Sequence, residues 1–183
     1  AAALTEMRTW HADPHVPYLA AGDASATQYM IKTVLEHGWY TRNPDVGAPF
    51  GATMYDFPIP EPTNFLLVRI LGVFGKDPFL VYNLFYLFSF ASVGLAAWWG
   101  FRRLGIVRPM AIAGAFLFSM LFYHFIRLGH LFLASYFSAA IFATYATRLA
   151  LYRLPHLSSD LRISFGTVLL LAIAAGAGVY YAF

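Results

Sequence analysis

The chain contains no cysteine, which excludes disulfide frameworks, thiolate metal sites and cysteine nucleophiles and leaves the redox compartment open. Charge is scarce as well: 11% of residues are Asp, Glu, Lys or Arg, against 60% hydrophobic and 19% aromatic residues. That balance lies outside the soluble globular range and inside the membrane class. Acidic residues nearly vanish after position 77, where Asp160 stands alone against Arg102, Arg103, Arg108, Arg127, Arg148, Arg153 and Arg162. The formal net charge of +3 is therefore topological and is no sign of a nucleic-acid partner. The apolar stretches hold no carboxylate, whose insertion costs roughly 2.5–3.5 kcal/mol and which usually marks ion-coupled transport. This counts against a proton-coupled transporter or flippase.

What is present is apolar length. Four stretches approach the roughly 20 residues that a bilayer needs: about 78–101, 109–126, 131–152 and 163–183. The expected fold is an all-α integral membrane protein with four transmembrane helices, preceded by an outer loop at 1–77 that carries short interfacial amphipathic helices. Trp98 and Trp99 suit an interfacial belt, Pro109 suits a first helical turn, and Arg148 can snorkel to headgroups. Lys/Arg bias sets orientation. The basic loops after the first and third stretches should be cytoplasmic, which puts the Arg127-Leu-Gly-His130 turn and residues 1–77 on the extracytoplasmic side of what reads as a bacterial inner membrane. The chain opens at Ala1 without a signal-peptide pattern and closes at Phe183 inside an apolar run. The expectation is a piece of a longer polytopic protein, with one helix before Ala1 and several after Phe183.

The outer segment has its own pattern. Ser25 to His37 reads as an amphipathic helix with Ala26, Tyr29, Met30, Thr33, Val34 and His37 on one face, a Lys32–Glu36 pair on another, and Gly38 as its stop. Residues 41–62 hold five prolines and two glycines and read as a structured, non-regular loop. Thr63 to Phe74 reads as a second helix, too short to span and suited to the interface.

Gly22-Asp23 with Gln28-Tyr29, Gly38-Trp39-Tyr40, Asn43-Pro44, Gly47-Ala-Pro-Phe-Gly51, Asp56-Phe57-Pro58, and Gly129-His130-Leu131 with Tyr136 resemble a bacterial subgroup of the polytopic GT-C glycosyltransferases, over about residues 20–140. The resemblance implies a transferase that uses a polyprenyl-phosphate sugar and delivers it to an extracytoplasmic glycan or lipid acceptor. It also implies that Asp23, matching the acidic residue after the family's first membrane helix, is the catalytic base. Gln28, Tyr29, Asp56, His130 and Tyr136 are the implied substrate-binding positions, and Arg127 joins them by its place at the outer mouth of the second and third stretches.

Residue chemistry permits this. Inverting transfer needs a carboxylate to take the acceptor hydroxyl's proton and a cation to stabilise the departing phosphate. Arg matches phosphate geometry bidentately, and His can donate to it or move a proton. Each residue also has a plainer reading. Asp23 can cap the helix that follows it, Arg127 can anchor a helix end, His130 can open the next helix, and Asp56 can order its own loop. His124, one turn before Arg127, reads as interfacial or bundle-facing. No cofactor is expected. Some relatives in the superfamily use a divalent metal, and His11, Asp13, His15, Asp23, Asp45, Asp56 and Glu61 are available, yet without recognised ligand spacing. The aromatic residues of the spans and Gly176-x-Gly178 read as packing. The competing function, from a different class, is a non-catalytic membrane subunit whose outer segment docks a protein complex.

Overall fold

A computed structural model of the chain describes residue 5 and residues 11–55, 59, 61–152 and 165–181. It is mostly helical: α1 Asp23–His37, β1 Arg42–Asn43, β2 Ala52–Thr53, α2 Pro62–Leu71, α3 Pro78–Arg103, α4 Arg108–Ser119, α5 Phe122–Ile126, α6 Leu131–Ala134, α7 Phe137–Tyr152, α8 Phe165–Ala175, and a 3₁₀ turn at Val179–Tyr181. Two stretches, Pro78–Arg103 and Arg108–Ile126, are long and apolar enough to cross a membrane. The expected third stretch is broken between α6 and α7, and the described part of the fourth is helical only over Phe165–Ala175. The basic loop after the third stretch lies outside the described residues.

Local chemistry sets the helix starts. The Asp77 carboxylate accepts from the Phe79 N–H at 2.9 Å, with Pro78 in the first turn of α3, where its missing N–H costs nothing. Partial burial pushes the Asp77 carboxyl up, but the His15 ring and the Phe79 and Leu80 N–H groups outweigh it and leave the carboxyl below its ordinary value. Pro62 and Pro109 open α2 and α4 in the same way. Gly38 ends α1 in the left-handed region at φ 85°, its N–H bonded to the Val34 carbonyl at 2.9 Å; the stop read from the sequence is where it was expected.

The buried face of α1 differs from the expected one. Thr33 and Val34 of the expected face are buried, together with Ala24, Thr27, Gln28 and Ile31, Tyr29 and Met30 are half-buried, and Ala26 and His37 are exposed. The pattern rotates because Thr27 and Gln28 go inward with their polar atoms satisfied, by the Asp23 carbonyl at 3.1 Å and the Leu19 carbonyl at 2.7 Å. In α2 the buried set Asn64, Phe65, Val68 and Leu71 leaves Leu66 and Ile70 exposed, an apolar outer face suited to an interface helix. The loop between α1 and α2 is more regular than its composition suggests. β1 and β2 pair antiparallel, Arg42 with Thr53 and Asn43 with Ala52. The hairpin is tied to α1 by Asn43, whose Nδ2 donates to Thr33 Oγ1 at 2.8 Å. A Cβ at Gly47 (φ 74°) would sit 3.0 Å from the Gly51 backbone, so the Gly-Ala-Pro-Phe-Gly run is read by its own turn.

Helix α3 is the hub, packed on α1, α2, α4, α6 and α7. Asn83, in its second turn, is almost fully buried and takes hold of the chain near the start. It accepts from the Tyr18 N–H at 3.1 Å and donates to the Pro14 and Val16 carbonyls, both at 2.8 Å. Gly94 lets Ser119 of α4 approach to Cβ contact at 3.5 Å, and Gly100 faces Thr144 of α7, the close helix contact that small residues allow in lipid.

The helix breaks need separate explanation, because carbonyls freed in an apolar surrounding must find donors. Tyrosine hydroxyls supply most of them: Tyr136 donates to Phe118 O at 2.8 Å, Tyr86 to His124 O at 3.2 Å, Tyr82 to Leu128 O, and Tyr181 to Leu133 O at 2.5 Å. His124 supplies another. Its Nδ1 lies 3.1 Å from Ser119 O, and its Nε2 lies 2.7 Å from Ser89 Oγ. A carbonyl only accepts, so Nδ1 donates to Ser119 O. The ring is fully buried and stacked on Phe90 at 3.6 Å, which settles it as bundle-facing.

Candidate functional site

Asp23 is the first residue of α1, set by Gly22 at φ 59°. It does not cap that helix: no side-chain cap bond forms, and the cap position belongs to Gly22. Its charge still sits favourably at the positive helix end. The carboxylate is 70% exposed and its Oδ2 lies 3.0 Å from Nδ1 of His130, whose side chain is 46% exposed. His130 immediately precedes α6 and is held by its N–H donating to Arg127 O at 2.9 Å. Two residues far apart in sequence thus meet.

The pair lies at a pocket of about 150 Å³ lined also by Thr27, Ile59, Glu61, Leu131, Phe132, Leu133 and Tyr180. Glu61 was weighed in the sequence only as one of several possible metal ligands, and here it is a pocket wall. It is 7% exposed. Burial pushes its carboxyl up to about 7, partly opposed by the Asn64 amide, since taking a carboxylate out of water disfavours its charged form. Its place just before the Pro62 helix start was the available signal; nothing in the Pro-rich run says that the side chain turns inward. Thr27 and Tyr180 carried no signal of their own.

The other expected site residues separate. Gln28 is buried and spends its amide on Leu19 O, so it fixes the approach to α1. Tyr29 is half-buried on α1 and does not line this pocket. Tyr136 is buried in the helix break, with its hydroxyl on Phe118 O. Arg127 is half-buried, its guanidinium 4.8 Å from the Tyr123 ring centroid, and its buried Nε has no hydrogen-bond partner among the described residues. It lies one turn from His130 but does not line the pocket. Asp56 lies outside the described residues.

The possible metal ligands also disperse. The His15 N–H bonds to Asp13 Oδ1 at 2.9 Å and its ring Nδ1 lies 2.5 Å from Asp77 Oδ2, so this stretch is a turn and a latch to α3. Among the described residues, Glu36, His37 and Asp45 bring ligand-type atoms within 4.8 Å of one another. All three are exposed, and Glu36 is already paired with Lys32. No family model matches this sequence, and neither a curated protein nor a solved structure shows significant similarity to it.

Proposed function

We propose that the chain is part of a GT-C-type membrane glycosyltransferase that moves a sugar from a polyprenyl-phosphate donor to an extracytoplasmic glycan or lipid acceptor, with Asp23 as general base. Residues 1–77 face the outside of a bacterial inner membrane, and the four apolar stretches cross it, the third as the broken pair α6–α7. The observation that carries the reading is the Asp23–His130 pair, 3.0 Å apart and open to solvent at a pocket mouth. A carboxylate held by one partner with its second oxygen open can take a proton from an acceptor hydroxyl. The acceptor oxygen then bonds to the sugar's anomeric carbon, and the lipid phosphate leaves from the opposite face with the electron pair of the broken C–O bond. Arg127, with its buried Nε unpaired among the described residues, has the fork geometry to meet that phosphate.

Replacing Asp23 by Asn in the full-length protein tests this. Transfer from a polyprenyl-phosphate sugar, followed in membranes by mass spectrometry of the lipid pool, should fall by about 10²–10⁴-fold, with membrane insertion unchanged. Retained turnover overturns the reading. A docking role for the outer segment draws on the hairpin, where Phe50 is 92% and Tyr55 66% exposed. It predicts fixed-stoichiometry copurification with other chains and tolerance of Asp23→Ala.

A further inference from the structure

Glu61 is the one acidic residue buried to this degree among the described residues, and it is poorly matched by its own fold. Its Oε2 meets Asn64 Nδ2 only at 3.4 Å, while that amide also donates to Ala177 O at 2.9 Å. Oε1 accepts no hydrogen bond among the described residues and stays within reach of solvent, whereas the neighbouring Asn64 Oδ1 is buried without a donor. Glu61 lines the pocket and Oε1 has no protein donor among the described residues, so it is free to accept from a ligand that brings one. Gly178, at φ 131°, packs close to this carboxylate: a Cβ there would sit 3.3 Å from Glu61 Oε1.

The rest of the pocket narrows the ligand. Across from Glu61 stand Asp23 and His130; the exposed Tyr180 is at the wall; Ile59 and Leu131–Leu133 are apolar. Its volume of about 150 Å³ leaves room for one compact ring. A compact frame with several hydroxyl donors and a C–H face for an aromatic ring fits this combination.

We propose that the pocket between Asp23–His130 and Glu61 binds a single monosaccharide ring, with Glu61 accepting from a ring hydroxyl and thereby fixing the ring relative to Asp23. This deepens, and for the role of Asp23 rests on, the glycosyl-transfer reading. The same hydroxyl chemistry fits a ring of the donor or of the acceptor.

The test uses the full chain in detergent micelles and a panel of methyl glycosides of hexoses and pentoses, with their monodeoxy analogues, followed by saturation-transfer NMR. At least one glycoside should bind saturably, one monodeoxy analogue should bind at least about tenfold more weakly, and Glu61→Ala should weaken the parent by a similar factor and erase the difference between parent and analogue. Glu61→Gln, which keeps an acceptor oxygen, should recover most of the affinity. The proposal is overturned if no glycoside binds, if every deoxy analogue binds like its parent, or if Glu61→Ala binds as the unaltered chain does. The deoxy series decides the matter on the unaltered chain even if Glu61→Ala does not fold. Binding and transfer measured together on the unaltered chain and on Glu61→Ala separate the two readings. Glu61-dependent binding in a chain that transfers no sugar overturns the transferase and leaves the sugar site. Transfer with unchanged KM in Glu61→Ala does the reverse. Competition by a polyprenyl-phosphate sugar identifies the ring as the donor's, and its absence assigns the acceptor.

Discussion

His124 and His130 stand six positions apart by number and occupy opposite kinds of surroundings. His124 is fully buried, both ring nitrogens have partners, and an aromatic face covers the ring. His130 is half-exposed and faces a carboxylate across a pocket mouth. The residue type is the same; what differs is the number of polar atoms left for a ligand. In an apolar bundle a satisfied histidine is a structural joint, whereas one at a pocket mouth keeps polar atoms within reach of a ligand.

The sharpest way to break that comparison is His124→Ala. It leaves the Ser119 carbonyl without the ring donor and opens a cavity beside Phe90, and it should cost about 3 kcal/mol or more, seen as a lower Tm in detergent. A stable His124→Ala protein with altered transfer would make His124 functional and undo the contrast. Glu61 supplies the next largest effect. Its carboxyl is raised from 4.5 to about 7 in the fold, so the native state holds its proton more tightly than the unfolded chain. Stability is fully present below about pH 4.5 and falls as pH rises to about 7 and beyond, by a total of about 3 kcal/mol at 1.36 kcal/mol per unit. Melting curves from pH 5 to pH 8 should show the loss, and Glu61→Gln should flatten it. His130→Ala should do least to the fold, within about 0.5 kcal/mol because the pair is solvent-exposed, while lowering transfer about tenfold. Equal losses of stability at positions 124 and 130 would erase the distinction.

Much of the outer architecture is legible in the sequence because its signals are local. Pro62, Pro78 and Pro109 mark helix starts, and Gly38 marks a stop. The breaks at 120–121 and 135–136 are not legible. The apolar runs there are continuous, and the interruption is stabilised by hydroxyls of Tyr82, Tyr86, Tyr136 and Tyr181 that come from elsewhere in the chain. The same non-locality hid the site's composition. Gln28 and Tyr136 carry suitable side chains, but backbone carbonyls occupy them. Glu61 looks like one carboxylate in a Pro-rich loop until Asn64 and Gly178 surround it.

The first turn of α2 is stitched to the end of α8. The Thr63 N–H donates to Gly176 O at 2.8 Å, its Oγ1 to Ile173 O at 2.9 Å, and Asn64 Nδ2 to Ala177 O. During synthesis, then, Asp23 leaves the ribosome early, but the pocket that it faces gains its last wall only when residues near 180 have emerged and been placed. Until then Glu61 can remain hydrated, so the burial that alters its carboxyl is deferred to a late step of assembly. The pocket is therefore complete only when its first and last lining residues, Asp23 and Tyr180, are both in place.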